Sequence, residues 1–536
     1  MTSDVLAEVN RALDRDDTGR AVELAEQALA AGTENPLLLN LAAFGMEQRG
    51  DMEGALTQLR RALTLAPTDP LIATALGRTL SQLGREAEAL AAYDAVLAIA
   101  PRHAPGHHGR GLALTALGQE DEARREQMIA ADLDPNYPDP LGALADHALK
   151  QDRKDLARTL AERAIALDRG QPAASMVLAT LDAGDGKREE ALRRCEALLS
   201  TGLTPLHRAA AEQLLGEQLD ALGQRSEAMA AFMRSARLTR ATNQPIYERR
   251  TIETGLPLTE RLRSYFARQR PEDWAAAPGS GGGGERGHVF LVGFVRSGTT
   301  LLEQVLASHP DVVALEEQPT LRAMAAPLFQ DETSLERLRS LGEAEAEALR
   351  ADYWRRVREC GADPTGKVFV DKAPLSTIWL PAVAKLFPKA RVLLAVRDPR
   401  DVVISAFRHR FVVNALSWPF TDLVETARFY SGVMELASTY RDLLPTPVHQ
   451  HRHEDLIENF DQEVQAICDF LGIDWTSAMR DFAETARRRD VRTPSRDQVR
   501  QGLNNSGVGR WRTYGPAIDP ILPILQPWVE RYGYKA

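Results

Sequence analysis

HVFLVGFVRSGTTLLEQVLASHP, residues 288–310, is the stretch whose reading decides the fold. Val289 to Val292 form a short apolar run, the pattern of a strand buried in a parallel sheet, and Gly293 closes it with a sharp turn. A helix is predicted from near Ser297. Leu301, Leu302, Val305 and Leu306 recur at helical spacing, and Pro310 stops the helix beyond Ser308 or His309. The first N–H groups of such a helix have no partner within it, and the helix dipole adds partial positive charge at the turn. An anion is expected to bind there.

The spelling of the turn narrows the anion. A triphosphate-binding P-loop reads G-x-x-x-x-G-K-[ST], with the lysine on the β/γ-phosphates and the hydroxyl on magnesium. Gly293 and Gly298 keep the spacing, but Thr299 and Thr300 stand where the lysine and hydroxyl residue would be. Backbone N–H groups, Ser297, Thr299, Thr300 and the fork of Arg296 can still cradle a phosphate. A nucleotide whose end group is not a γ-phosphate suits this loop.

A second block, ARVLLAVRDPRDVVISAFRHRF at residues 390–411, reads as a strand ending at Arg397 and a helix carrying Ser405. With RSGTT, these residues resemble the sulfotransferases that use 3′-phosphoadenosine 5′-phosphosulfate (PAPS). RSGTTLLEQVLASHPDV, a Glu-Glu pair, DKAP and VRDPRDVVIS follow in the order seen in protein-tyrosine sulfotransferases and bacterial tetratricopeptide-fused relatives. The resemblance covers about residues 287–536. It implies that Arg296, Ser297, Gly298, Thr299 and Thr300 hold the 5′ end of PAPS and that Arg397 and Ser405 grip its 3′-phosphate. Within R-D-P-R-D the plainer alternative is a structural salt bridge from Arg397 to Asp398 or Asp401, and Arg400 is read as solvent-facing.

The resemblance also assigns the chemistry. Glu317, the second of the pair, corresponds to the proposed base that takes the acceptor's proton; the alternative is a solvated loop pair. A free carboxyl titrates near ~4.3 and a phenol near ~10, so full prior deprotonation is uphill by about 8 kcal/mol. Glu317 is therefore expected to accept the proton as the new O–S bond forms. Lys372, at the end of the Val368–Val370 strand, corresponds to the lysine on the bridging oxygen of the phosphosulfate, against the alternative of a surface lysine. Arg296 is a second candidate for stabilising that charge. Pro319 stands where the family places an arginine that helps hold an acidic peptide, which puts peptide-tyrosine specificity in doubt.

Near the C-terminus, Arg487 to Arg500 holds six arginines against two aspartates, a candidate lid for an anionic cosubstrate in a chain of net charge −10. Ser495 and Arg510 are the counterparts of residues that close over the nucleotide in related enzymes; the alternative is a solvated arginine face. HQHRHED, with His449, His451 and His453, invites a metal site on a strand face, but nothing nearby completes a ligand set. The scheme requires no metal.

The first 240 residues repeat. Ala21, Ala55, Ala89, Ala123, Ala157 and Ala191 are 34 residues apart, as are Gly50, Gly84, Gly118 and Gly186, with Asp152 filling the gap. Pro67, Pro101 and Pro135 share the period. This is the length of a tetratricopeptide repeat, a helix–turn–helix unit that buries its apolar face by stacking on neighbours. Six or seven repeats, the last near Leu222 to Phe232, predict a right-handed solenoid with a groove for a protein partner; a homodimer stays open. Pro257 to Gln269 reads as one more helix, and Pro278 to Gly287 as a Gly-rich linker.

The expectation is thus a tetratricopeptide α-solenoid at 1–240, a connector at 241–286 and a P-loop-like three-layer α/β domain with a mainly parallel sheet at 287–536. The predicted activity is sulfuryl transfer from PAPS to a hydroxyl on a peptide or protein, a glycan or a small molecule. Two rivals stay open: a repeat adaptor with a degenerate nucleotide domain, and a P-loop small-molecule kinase. The acidic balance argues against nucleic acid. Cys195, Cys360 and Cys468 lie far apart and form no C-x-x-C, and no apolar run is long enough to span a bilayer. A cytoplasmic protein without membrane contact is expected.

Overall fold

The computed structural model describes residues 2–277, 282–489, 496–505 and 507–535. The chain divides into two compact units, one of residues 1–223 with 244–250, the other of residues 224–243 with 251–536.

The first unit is built of helix pairs, from Thr2–Leu13 and Thr18–Ala30 onward to Pro172–Gly184 and Arg188–Leu199, followed by Pro205–Ala221. The alanines of the 34-residue series sit where helices touch: Ala21, Ala55, Ala89, Ala123, Ala157 and Ala191 are all buried. The turn between the two helices of a pair needs a left-handed residue. Gly50, Gly84, Gly118 and Gly186 take φ of 83°, 66°, 77° and 82°. Asp152, in the gap of the glycine series, takes φ 59°, and Asp16, one period before Gly50, takes 56°. Asp17 and Asp51 then cap the second helices by accepting from the N–H groups of Arg20 and Gly54.

The second unit is organised by five strands: β1 Gly287–Gly293, β2 Val312–Glu316, β3 Val368–Lys372, β4 Arg391–Val396 and β5 Val448–Arg452. Their order is β2-β3-β1-β4-β5, and each neighbouring pair is parallel. Alternate residues of β1 serve opposite faces. Val289 and Leu291 pack with Leu302 and Val305 of the Thr299–Ala307 helix and with Val464 and Ile467. His288 and Phe290 meet the rings of Tyr353 and Phe387 on the other side, and Trp354 packs on His288 there. Helices therefore cover both faces, the three-layer arrangement a parallel sheet requires.

Three details differ from the sequence reading. The helix after the turn starts at Thr299, with Gly298 as its cap, because Gly298 has φ 93° and the backbone enters the helix one residue later. VVALE at 312–316 is a strand, though it reads as part of a loop. The end of the Gly-rich segment is no free linker: Gly284 C=O accepts from Gly366 N–H, Arg286 N–H donates to Lys367 C=O, and Gly287 opens β1. Residues 278–281 of that segment lie outside the described residues. The connector helix spans Gly255–Phe266. No helix among the described residues is long and apolar enough to cross a membrane.

The turn series carries a test. Left-handed backbone costs an ordinary residue about 1–2 kcal/mol, less for Asp, and little for Gly. Asp152→Gly is expected to raise the urea midpoint of the full chain's repeat unit, and Gly118→Val to lower it. A lowered midpoint for Asp152→Gly would mean that the carboxylate itself holds the turn.

Candidate active site

Strand register brings the sequence-predicted residues to one rim. Glu316 of β2 pairs with Lys372 of β3, Lys372 pairs with Leu291 of β1, and Gly293 two residues on pairs with Ala395 of β4. Arg397 follows β4 by one residue. The carboxyl ends of four adjacent strands thus line up, the place where open α/β sheets bind ligands.

The turn after β1 is built tightly. A Cβ on Gly293 would lie 2.5 Å from the Ala395 carbonyl oxygen, so the neighbouring strand excludes any other residue. Thr377 brackets Gly293 from the far side: its Oγ1 accepts from Gly293 N–H at 3.1 Å and donates to Gly293 C=O at 2.8 Å. A Cβ on Gly298 would lie 2.4 Å from His453 Nδ1. Between the glycines, Arg296 has φ 70°, a left-handed conformation that a non-glycine residue adopts at a cost. Ser297, Thr299 and Thr300 are buried in the same turn.

Arg296, Ser405 and Arg397 converge at this turn. Arg296 Nε donates to Ser405 Oγ at 3.0 Å, and Arg397 Nη1 donates to Arg296 C=O at 3.3 Å. Burial, together with nearby Arg397 and Arg408 and opposed by Glu317, pulls the Arg296 guanidinium down to about 10, which still leaves it a cation at neutral pH. Such a cluster of like charges gains from an anion.

Lys372 is no surface lysine. Its side chain has 0% exposure, and its Nζ lies 2.8 Å from Glu317 Oε1, 3.3 Å from Glu303 Oε2 and 3.7 Å from Glu316 Oε1. Burial pulls the ammonium down; Glu303, then Glu317 and Glu316, outweigh it and leave the pKa above the usual lysine value. Glu317 keeps 41% exposure of its side chain. It has φ 43°, and its N–H donates to Lys372 C=O at 2.7 Å, so the base candidate is pinned to the lysine's strand at a strained turn.

Behind this pair runs a buried polar chain. Asp371 Oδ2 accepts from Thr320 Oγ1 at 2.8 Å and from Tyr353 Oη at 2.9 Å, and Tyr353 Oη meets His288 Nε2 at 2.9 Å. Burial pushes the Asp371 carboxyl up to about 6 and the His288 imidazole down to about 3, so His288 is neutral and donates to Tyr353. Thr320 opens the helix that follows Glu317, which ties that loop to β3 a second time.

The R-D-P-R-D segment resolves differently from its sequence reading. Arg400 does not face solvent; it is buried, pairs with Asp398 Oδ2 at 2.8 Å and stacks 3.9 Å above Trp511. Asp401 instead accepts from the N–H groups of Gly509 and Trp511. Arg397 Nη2 donates to Gly507 C=O. These bonds lay the 507–511 segment over the end of β4. Arg510 lies within that segment, at the start of the 3-10 stretch Arg510–Ile521. Ser495 lies outside the described residues.

Arginines 487, 489 and 500 of the arginine-rich stretch are engaged with the protein itself, and residues 490–495 lie outside the described residues. Arg487 donates to Arg500 C=O, Arg500 to Ala486 C=O, and Arg489 to Glu303, Gln304 and Ala314 C=O. Among the described residues no group of three or more His, Cys, Asp or Glu side chains is set to hold a metal ion. His449 packs on Phe470, His451 is buried in β5, and the half-buried His453 sets its buried Nδ1 against the Gly298 turn. Sequence reasoning missed Thr377, His453 as a neighbour of the turn, and Glu303. Glu303 carried no signal: at helical spacing it falls on the side opposite Leu301, Leu302, Val305 and Leu306, where a solvated carboxylate is ordinary.

Residues 288–477 match the sulfotransferase family model, and residues 46–112 match a tetratricopeptide repeat model. The chain is 26% identical over 272 residues to an uncharacterized protein of Aquifex aeolicus, a match covering 47% of this chain and 35% of that protein. It is 26% identical over 267 residues to protein-tyrosine sulfotransferase 1 of Danio rerio, covering 46% of this chain and 72% of that enzyme. Among solved structures, a thermophilic tetratricopeptide-repeat protein of Thermus thermophilus aligns at 23% identity and a TM-score of 0.30, covering 34% of this chain and 98% of that one. In this chain tetratricopeptide repeats thus precede a region, residues 288–477, that matches the sulfotransferase family model and is similar to protein-tyrosine sulfotransferases.

Proposed function

We propose that the 287–536 region transfers a sulfuryl group from PAPS to an acceptor hydroxyl, leaving adenosine 3′,5′-bisphosphate. The observation that carries this reading is the Glu317–Lys372 pair, 2.8 Å apart, on the same sheet rim as the Arg296–Ser405–Arg397 cluster. PAPS supplies a sulfur already activated by its bond to a phosphate oxygen. The Gly293–Thr300 turn, with its N–H groups, Ser297 and Arg296, suits the 5′ phosphosulfate, and Arg397 with Ser405 suits the 3′-phosphate.

Exposed Glu317 receives the acceptor hydroxyl. As its oxygen bonds to sulfur, the proton passes to the Glu317 carboxylate, the bond from sulfur to the phosphate oxygen breaks, and the electron pair stays on that oxygen. Lys372 and Arg296 stabilise the charge that grows there. In the resting site Glu317 pairs with Lys372, so Glu317 must turn away from the lysine for the reaction. Pro319 caps the Thr320–Ala325 helix beside Glu317, and no arginine is supplied at that position for an acidic peptide. Sugar and small-molecule hydroxyls therefore stand beside tyrosine as acceptors.

Calorimetric titration of adenosine 3′,5′-bisphosphate, and separately of ATP with magnesium, is expected to show binding of the first alone. Arg397→Ala should weaken it about 30-fold or more, as loss of a charge-assisted contact worth ~2 kcal/mol requires. Binding of ATP alone would replace this reading with a kinase. With labelled PAPS and an acceptor found by screening tyrosine peptides and sugars, Glu317→Gln should lower kcat about 100-fold and leave bisphosphate affinity unchanged. Full activity in Glu317→Gln would remove Glu317 as the base.

A further inference from the structure

Three carboxylates surround the Lys372 ammonium, and they differ in freedom. Glu317 is the exposed one, on a strained turn at the mouth of the site. Glu316, at the end of β2, is the most distant, at 3.7 Å. Glu303 has 0% exposure and lies on the Thr299–Ala307 helix, the same helix whose first turn forms the anion site. Its second oxygen is taken: Arg489 Nη1 lies 3.2 Å from Glu303 Oε1, and Arg489 is itself fixed by Gln304 Oε1 and by Ala314 C=O at 2.8 Å. Glu303 therefore cannot swing away, whereas Glu317 can.

That difference matters when the site works. Once Glu317 turns to an acceptor hydroxyl, the buried ammonium loses its shortest contact, and an unpaired buried cation sheds its proton or leaves its position. We infer that Glu303 is the positioning residue that keeps Lys372 charged and aimed at the phosphosulfate oxygen after Glu317 releases it. The inference rests on the role given to Lys372 above. It links the phosphate-binding helix directly to the leaving-group lysine, so one rigid element sets both. Of the three carboxylates facing the ammonium, Glu303, Glu316 and Glu317, Glu303 does most to hold its pKa up against burial, while Asp371, next to Lys372 on β3, faces Thr320 and Tyr353.

The test uses the full-length chain and hydrolysis of labelled PAPS to sulfate without an acceptor, followed across neutral and alkaline pH. Glu303→Gln keeps the shape and removes the charge. It is expected to lower kcat about 10- to 100-fold, to leave KM and bisphosphate affinity within about threefold, and to move the alkaline limb of the profile to lower pH. Arg489→Met loosens Glu303 but keeps its charge beside Lys372, and should lower kcat less than Glu303→Gln does and leave the alkaline limb in place. Wild-type kcat and an unmoved limb in Glu303→Gln would overturn the inference, as would equal losses in both variants, which would mark Glu303 as a packing residue. If the wild type neither binds bisphosphate nor hydrolyses PAPS, the sulfuryl-transfer reading fails and takes this inference with it.

Discussion

A lysine ammonium without contact with water is the demand around which the second unit is arranged. Breaking a buried ion pair by removing one partner costs about 3–5 kcal/mol, because the remaining charge cannot be hydrated. Lys372 meets that demand with carboxylates from a helix, a strand end and a loop. Each of those elements is thereby placed relative to β3. The helix carries the Gly293–Thr300 turn at its start, and the loop carries the exposed Glu317, so satisfying one buried charge also brings the candidate site residues together.

The site accepts backbone strain that the repeats avoid. Where the repeat unit needs a left-handed residue it uses glycine or aspartate, which adopt that conformation cheaply. Arg296 and Glu317 adopt it as well, at a cost of about 1–3 kcal/mol each, because their side chains are needed at those points. The surroundings hold them there. Thr377 fixes the start of the turn through both polar groups of Gly293, and Lys372 C=O fixes the N–H of Glu317.

The parts legible in the sequence were those written in local spacing. The period of 34 residues gave the helix pairs, and the strand–turn–helix spelling of residues 288–310 gave the centre of the sheet. Arg296, Arg397, Ser405, Glu317 and Lys372 could be named because short motifs carry them, and the structure brings them to one rim. What stayed hidden depends on residues distant in sequence. Glu303 meets Arg489 across 186 positions, and Gly293 meets Thr377 across 84. Arg400 looked like a solvated arginine because the ring that covers it, Trp511, lies in the last part of the chain. β2 was missed because a short, half-buried edge strand carries too weak an alternation to distinguish it from loop.

The strand order has a metric consequence. Neighbouring strands of a sheet are ~4.8 Å apart, so the step from the end of β2 through β3 and β1 to the end of β4 spans roughly 14 Å. Glu317, Lys372, the Gly293–Thr300 turn and Arg397 stand in that sequence along it. The sheet is therefore a ruler with marks at fixed intervals. The side chains then bridge part of each interval, as Lys372 does in reaching Glu317 at 2.8 Å. Substituting a side chain at the rim changes the reach from one mark and leaves the hydrogen-bonded spacing of the marks as it was.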